Sequence, residues 1–331
     1  MRKKWIRGGT FLCLVLLLLS NLNRILCVKS PHGIDQTRYL YVQPKNKIDV
    51  LFLGSSHVHC NVNTQLLWDE YGMAAYLMTG AEQPLWNSYY NLKEALKTQK
   101  PKLVVLDMFC PSRFYDDFQP GWADENLDGM RISLNKLEAV YTSVQEEQSH
   151  FFLGFTEYHS RYDQLTTEDF QNFVWNRKTQ ERWKGYTPLN RHAELTEPDM
   201  SHVTTSQEMT EKSKEYFEKI VELTKKEGIT LALISGPYLL EERDQEVYNS
   251  IGQLAEKDGL LFWNTNTPAH YREMGLDFST DYADHAHLNE AGGAKYTAYL
   301  GKWLSQNYSF PDRRGQKGYE SWENQLMKSG E

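Results

Sequence analysis

The sequence predicts an α/β fold of three layers: a parallel sheet of about five strands with helices on both faces, interrupted by one mainly helical insertion. Three observations carry this expectation. Short apolar runs such as residues 50–53 and 103–109 are continuous rather than alternating, the pattern of strands covered on both faces. They alternate with segments of helical spacing, and helical crossovers impose parallel, right-handed connections. The alternation stops near residue 110 and resumes near residue 203, which sets residues 111–201 apart as the insertion and residues 47–309 as the domain that holds it.

The elements follow in order. Arg2, Lys3, Lys4 and Arg7 precede an apolar run over residues 9–22, the order of an export signal. That core is shorter than the roughly 20 residues of a bilayer span. Extending it to Val28 takes in Asn21, Asn23 and Arg24, whose long side chain can reach the interface. No small-x-small cleavage site follows, and Cys27 lacks the small residues that precede a lipidated cysteine. Residues 1–28 are therefore expected to be an uncleaved single-pass anchor to the cell membrane, with the amino terminus inside and the domain outside the cytoplasm. Residues 29–46, with Pro31, Gly33 and Pro44, read as a lead-in.

The first strand, residues 50–53, stops at Gly54 and delivers Ser55 and Ser56 into a loop. A helix over 63–71 and a strand over 73–78 follow, and Thr79-Gly80-Ala81 ends that strand. Pro84 opens a helix to about residue 99, with Leu85, Tyr89, Leu92 and Leu96 on one face. Pro101 stops it, and the third strand occupies 103–109. Helices are expected near 132–148 and 167–175 within the insertion. Thr205 or Ser206 caps a helix that Gly228 ends, with Met209, Tyr216, Ile220 and Leu223 at helical spacing. Strands at 229–234 and 260–263, a helix at 244–257 and an Asn289-capped helix at 290–303 complete the pattern. The polar tail, 310–331, is expected to be loosely held.

A net charge of −8 and a pI near 5.7 argue against nucleic acid as a partner. Abundant Tyr and Trp suit glycan stacking and ordinary core packing alike. Four cysteines are too few for a disulfide framework. Cys60 and Cys110 both follow predicted strands, and whether they bridge is left to geometry.

Chemistry concentrates at two places. Ser56 lies at the carboxyl end of the first strand, where open α/β sheets keep their sites. Asp284 stands three residues before His287, just ahead of the last helix, so its carboxylate can meet one imidazole nitrogen while the other faces a serine. At these residues the chain resembles the SGNH/GDSL hydrolase superfamily, a flavodoxin-like fold. Its first block is a strand with Gly-Asp-Ser, here Gly54-Ser55-Ser56, and its last is Asp-x-x-His, here Asp284-His285-Ala286-His287. Ser in place of Asp at 55 is similar to the branch that handles acyl groups on cell-envelope polymers, including the teichoic-acid D-alanine transfer protein DltD and the alginate acetylation proteins.

The resemblance implies Ser56 as nucleophile, His287 as base and Asp284 as orienter, with no cofactor or metal. It implies an oxyanion hole built from the Ser56 backbone N–H and Gly80, since charge developing on the carbonyl oxygen must meet preorganised donors. The third block departs from the family: Asp107-Met108-Phe109-Cys110 stands where Gly-x-Asn-Asp is usual. Gln83 or Asn87 is the candidate replacement donor. The implied activity is that of a serine esterase or O-acyltransferase acting on a cell-surface polysaccharide or teichoic-acid-like polymer, with a multi-pass membrane O-acyltransferase as a partner.

Two other functions stay open: a binding or scaffold protein that keeps the fold without efficient catalysis, and a metal-dependent hydrolase using His57, His59, His285 and His287. Beside these, Ser55 is expected to bond the turn backbone and His285 to be a solvated loop residue. In the insertion, Tyr158-His159-Ser160-Arg161-Tyr162 either anchors the insertion on the sheet or, through His159, Arg161 and Tyr162, binds an acyl donor or glycan. With Phe170, Trp175, Trp183 and Tyr186, the insertion is expected to cover the site and exclude water.

Overall fold

The computed structural model describes residues 2–27, 32–114, 116–118, 120–152, 158–171 and 183–323. Five parallel strands, β1 (Val50–Gly54), β2 (Ala75–Thr79), β3 (Leu103–Asp107), β4 (Thr230–Ser235) and β5 (Leu261–Asn264), form one sheet in the order β2-β1-β3-β4-β5. Strand β1, which leads into Ser55 and Ser56, is thus internal, flanked by β2 and β3, as its unbroken apolar run requires. Alternate residues feed two cores. Leu51 and Leu53 join Leu92, Phe217, Ile220 and Ile251 on one face, and Val50 and Phe52 join Tyr271, Tyr296, Leu300 and Leu304 on the other.

Ahead of the sheet lie α1 (Arg2–Leu26) and α2 (Ile34–Leu40). Over Lys4–Leu26, α1 is long and apolar enough to cross a membrane, and almost none of it is buried against the domain. The helices of the first half are α3 (Ser56–Asn61), α4 (Thr64–Tyr71), α5 (Leu85–Ala95), α6 (Phe109–Arg113), α7 (Ala123–Leu127), α8 (Leu134–Ser143) and α9 (Thr167–Gln171). The remainder of the helix expected over 167–175, with Trp175, lies outside the described residues. The second half has α10 (Glu211–Glu227), α11 (Glu242–Asp258), α12 (Pro268–Met274), α13 (Glu290–Asn307) and α14 (Glu320–Glu323). Capping hydroxyls fix the starts: Thr210 accepts from Ser213 N, so α10 begins later than a cap at Thr205 or Ser206 would set. Instead Thr205 donates to Glu246.

Packing ties both flanks to the sheet, the tail against expectation. In the lead-in the Gln36 side chain accepts from Thr79 N at 2.8 Å and donates to Gly185 O at 2.8 Å, at the β2 edge. The tail is held as far as residue 323. Arg313 makes two hydrogen bonds to the buried Asp49 carboxylate, at 2.7 and 2.8 Å, and the fully buried Trp322 donates its indole N–H to Ala75 O. A polar average concealed one guanidinium and two aromatic side chains, Tyr319 and Trp322, that bury against α4 and the sheet edge.

Candidate active site

The site begins with a backbone requirement. Gly54 has φ 155°, and a Cβ there would lie 2.7 Å from Asp107 Cβ and 2.8 Å from Val58 Cγ2. A glycine therefore lets β1 turn sharply into α3 between its neighbours. Ser55 caps α3: its Oγ accepts from His57 N at 3.2 Å and it is fully buried, the turn role expected of it. Ser56, the first helical residue, is half-buried at the carboxyl edge of the sheet.

His287 comes from the opposite end of the chain. Its Nε2 lies 2.8 Å from Ser56 Oγ and its Nδ1 lies 2.8 Å from Asp284 Oδ1. The same carboxylate oxygen accepts from Ala286 N at 2.9 Å and His287 N at 3.0 Å, so the loop folds around the acid that orients the ring. The other oxygen meets Arg191 Nη2 at 2.7 Å. Partial burial alone would raise the Asp284 carboxyl. The His287 hydrogen bond and charge, the Ala286 amide and the Arg191 guanidinium together hold it well below the usual carboxylate range. With Nδ1–H donated to Asp284, Nε2 is left as the acceptor for the Ser56 proton.

One short helix couples the two ends of this relay. α3 starts at Ser56 and ends at Asn61, whose Oδ1 accepts from Leu288 N at 2.9 Å, next to His287. Thr297 of α13 donates to Asn61 O, and Asn289 caps α13. Neither Asn61 nor Arg191 was singled out in the sequence. The only local signal was for Asn61, a polar residue five positions beyond the serine; Arg191 carried none, because its partner lies 93 residues away.

The register Gly54↔Thr79 puts Gly80 beside the Ser55–Ser56 turn. Asn126 of α7 packs where a Gly80 side chain would stand, its amide donating to Ala81 O and Trp122 O. Gly80 is thus kept bare on the side facing the insertion. The Gln83 amide group is already engaged: it donates to Ser88 Oγ at 3.0 Å and Met78 O at 3.4 Å, while its oxygen accepts from Asn91. Asn87 is buried and accepts from Ser143. Gln83 is therefore a brace for the loop before α5 rather than a spare oxyanion donor.

The two His-x-His pairs do not converge. His57 is buried with Nδ1 3.3 Å from Asp107 Oδ1 and stacks on Phe109. His59 stacks on His32 at 4.7 Å and bonds Thr79 Oγ1, while His285 is exposed. Residues two apart share a strand face, but His57 and His59 lie in α3 and His285 and His287 in the loop before α13. Among the described residues no cluster of three or more His, Cys, Asp or Glu could hold a metal ion. Cys60 and Cys110 are free, buried thiols; burial, reinforced by the Asp284 charge, pushes Cys60 up to about 12.

The described residues of the insertion pack at several places around the sheet. α8 packs on α5, and Trp183 and Tyr186 join the core beneath β2. Residues 184–195 start at the β2 edge, where Leu77 N donates to Lys184 O, then meet α3 through Thr187 N–His59 O and the loop before α13 through Ala193 N–Tyr282 O. His159, Arg161 and Tyr162 lie in a 3₁₀ turn (His159–Asp163) against the end of α1. There Arg161 donates to Leu26 O and pairs with Asp169 at 3.2 Å. Arg161 thus ties the turn to α1 rather than to the sheet.

No protein-family model matches the chain, and no curated protein matches it. Among solved structures it is similar to a GDSL-like lipase from Bacteroides thetaiotaomicron, at 11% identity and TM-score 0.39, covering 84% of this chain and 100% of that one. It is also similar to an acetylxylan esterase from Geobacillus stearothermophilus, at 12% identity and TM-score 0.39, covering 81% and 97%. At these values the chemistry must be argued from the site itself.

Proposed function

We propose that this protein is a membrane-anchored serine esterase or O-acyltransferase of the SGNH type, acting outside the cytoplasm on an acylated cell-surface polymer. One observation carries the reading: an unbroken Ser56–His287–Asp284 relay with both links at 2.8 Å, assembled from residues 231 positions apart. His287 takes the Ser56 proton as Oγ attacks the ester carbonyl, Asp284 balances the resulting imidazolium, and the leaving alcohol receives the proton as the acyl-enzyme forms. Water then gives hydrolysis, and a polymer hydroxyl at the same point gives transfer. The basic flank of α1 supports an amino terminus held in the cytoplasm.

A fluorophosphonate probe tests the nucleophile. Labelling should vanish in Ser56→Ala and persist in Ser55→Ala, because Ser55 caps a helix and faces no base. Labelling that survives in Ser56→Ala removes the assignment. Partition is read with an acyl donor and an added polysaccharide: acyl groups appearing on the glycan identify transfer, and release only as free acid identifies an esterase.

A further inference from the structure

Asp107 ends β3 directly against the turn that presents Ser56. A Cβ on Gly54 would lie 2.7 Å from Asp107 Cβ, so this side chain fills the space beside the glycine. The Asp107 side chain is 1% exposed, and its Oδ1 lies 3.3 Å from Nδ1 of His57, the residue after Ser56. The other ring nitrogen, Nε2, lies 3.4 Å from Pro237 O in the loop after β4. Both nitrogens face acceptors rather than Ser56, so the ring is a brace and not a second base. That loop is itself fixed: Asn266 donates to Gly236 O at 2.8 Å and accepts from Tyr238 N at 3.2 Å. Aromatic rings complete the enclosure, with Phe109 stacked on His57 at 4.6 Å and Tyr238 edge-on at 5.4 Å.

What this grip fixes is the Ser56 amide. Among the described residues no acceptor meets the Ser56 N–H. The hydrogen bonds of the turn start one residue later, from His57 N to Ser55 Oγ at 3.2 Å and from Val58 N to Ser55 O at 3.0 Å. Gln83 and Asn87 are engaged elsewhere, which leaves few donors for an oxyanion on an acyl group at Ser56. A donor stabilises developing charge in proportion to how well it is aimed beforehand. Stability alone is a poor reason for the pair: Asp107 Oδ2 is buried with no hydrogen-bond partner among the described residues, and such an oxygen costs free energy.

We propose that His57 and Asp107 are positioning residues for the reaction at Ser56, holding its amide in line with the oxyanion. The acid of the third block then serves by orienting a donor on β1–α3 where an asparagine would have served by donating. The inference rests on the reading of Ser56 as nucleophile.

The test exchanges both polar partners at once in the full chain. His57→Phe with Asp107→Leu removes a buried charge together with its partner, an exchange that need not cost stability. Thermal unfolding should stay close to that of the unmodified chain, while kcat for p-nitrophenyl acetate falls about tenfold or more and KM stays within about twofold. Affinity for an arylboronic acid, whose tetrahedral adduct on Ser56 sets an oxygen before the same amide, should fall by a similar factor. A folded double variant that keeps its kcat overturns the proposal, because the pair then serves stability alone. Where the double variant does not fold, Asp107→Asn, of the same shape, takes its place: about a threefold loss of kcat with KM kept supports the pair, and an unchanged kcat overturns it. The unmodified chain separates the failures. If a fluorophosphonate does not label it, the nucleophile reading falls and this inference with it, whereas a labelled chain with an unaffected double variant removes this inference alone.

Discussion

Replacing Asp284 separates the two tasks its carboxylate performs. Oδ1 accepts from His287 Nδ1 and from two backbone amides, whereas Oδ2 faces Arg191. In Asp284→Asn the amide oxygen should remain at the Oδ1 position, because the NH₂ group placed there would oppose three donors. Ring orientation and tautomer then survive, and what is lost is the negative charge opposite the imidazolium. At the 2.8 Å separation a unit charge pair amounts to about 6 kcal/mol at an effective dielectric near 20. The side chains are 19% and 27% exposed, and solvent screening that halves the interaction leaves about 3 kcal/mol, roughly two orders of magnitude in kcat/KM. Asp284→Ala also releases the ring and should lose a further factor of about ten or more. The amide NH₂ of Asp284→Asn faces Arg191 donor to donor, so adding Arg191→Ala should be neutral or restorative there but harmful with Asp284 intact. The assay is kcat/KM for p-nitrophenyl acetate across the four variants. Equal losses in the Asn and Ala variants would refute the claim that the loop amides hold Oδ1 in place, and losses of only a few fold would remove Asp284 from the machinery.

Two further outcomes concern stability. Arg313→Ala strands the buried Asp49 carboxylate and should destabilise the domain by about 3 kcal/mol in denaturant unfolding, with partial recovery on adding Asp49→Asn; no change would mean the tail is dispensable. His59 is held well below its ordinary range by burial, and by the nearby His32 and His287. Its contribution is therefore complete above about pH 6.5, the unfolded value, and is lost as pH falls toward the depressed folded value, by about 1.4 kcal/mol per unit for one proton. His59→Gln should flatten the stability–pH profile in that window, and an unchanged slope would show that other groups set it.

The sequence by itself determined what local periodicity and local chemistry encode. Continuous apolar runs located all five strands, glycines and capping residues located most helix ends, and the three-residue spacing of Asp284 and His287 placed a carboxylate against an imidazole in one loop. The Ser56 turn was legible because a glycine must follow a strand that bends so abruptly between its neighbours. What tertiary structure alone decided depends on partners far away in the chain. Arg191 meets Asp284 and Arg313 meets Asp49 through pairings that no window of sequence contains. His57 and His59 looked like a strand-face pair until α3 turned them apart. Arg161 read as an anchor on the sheet or a substrate contact, and no window of sequence pointed to its acceptor at the end of α1. Charged and polar side chains carry no periodic signature of their own; whether each is a solvated surface group, a brace or part of a site is fixed only when the fold sets which of them lose water together and which partner each then meets.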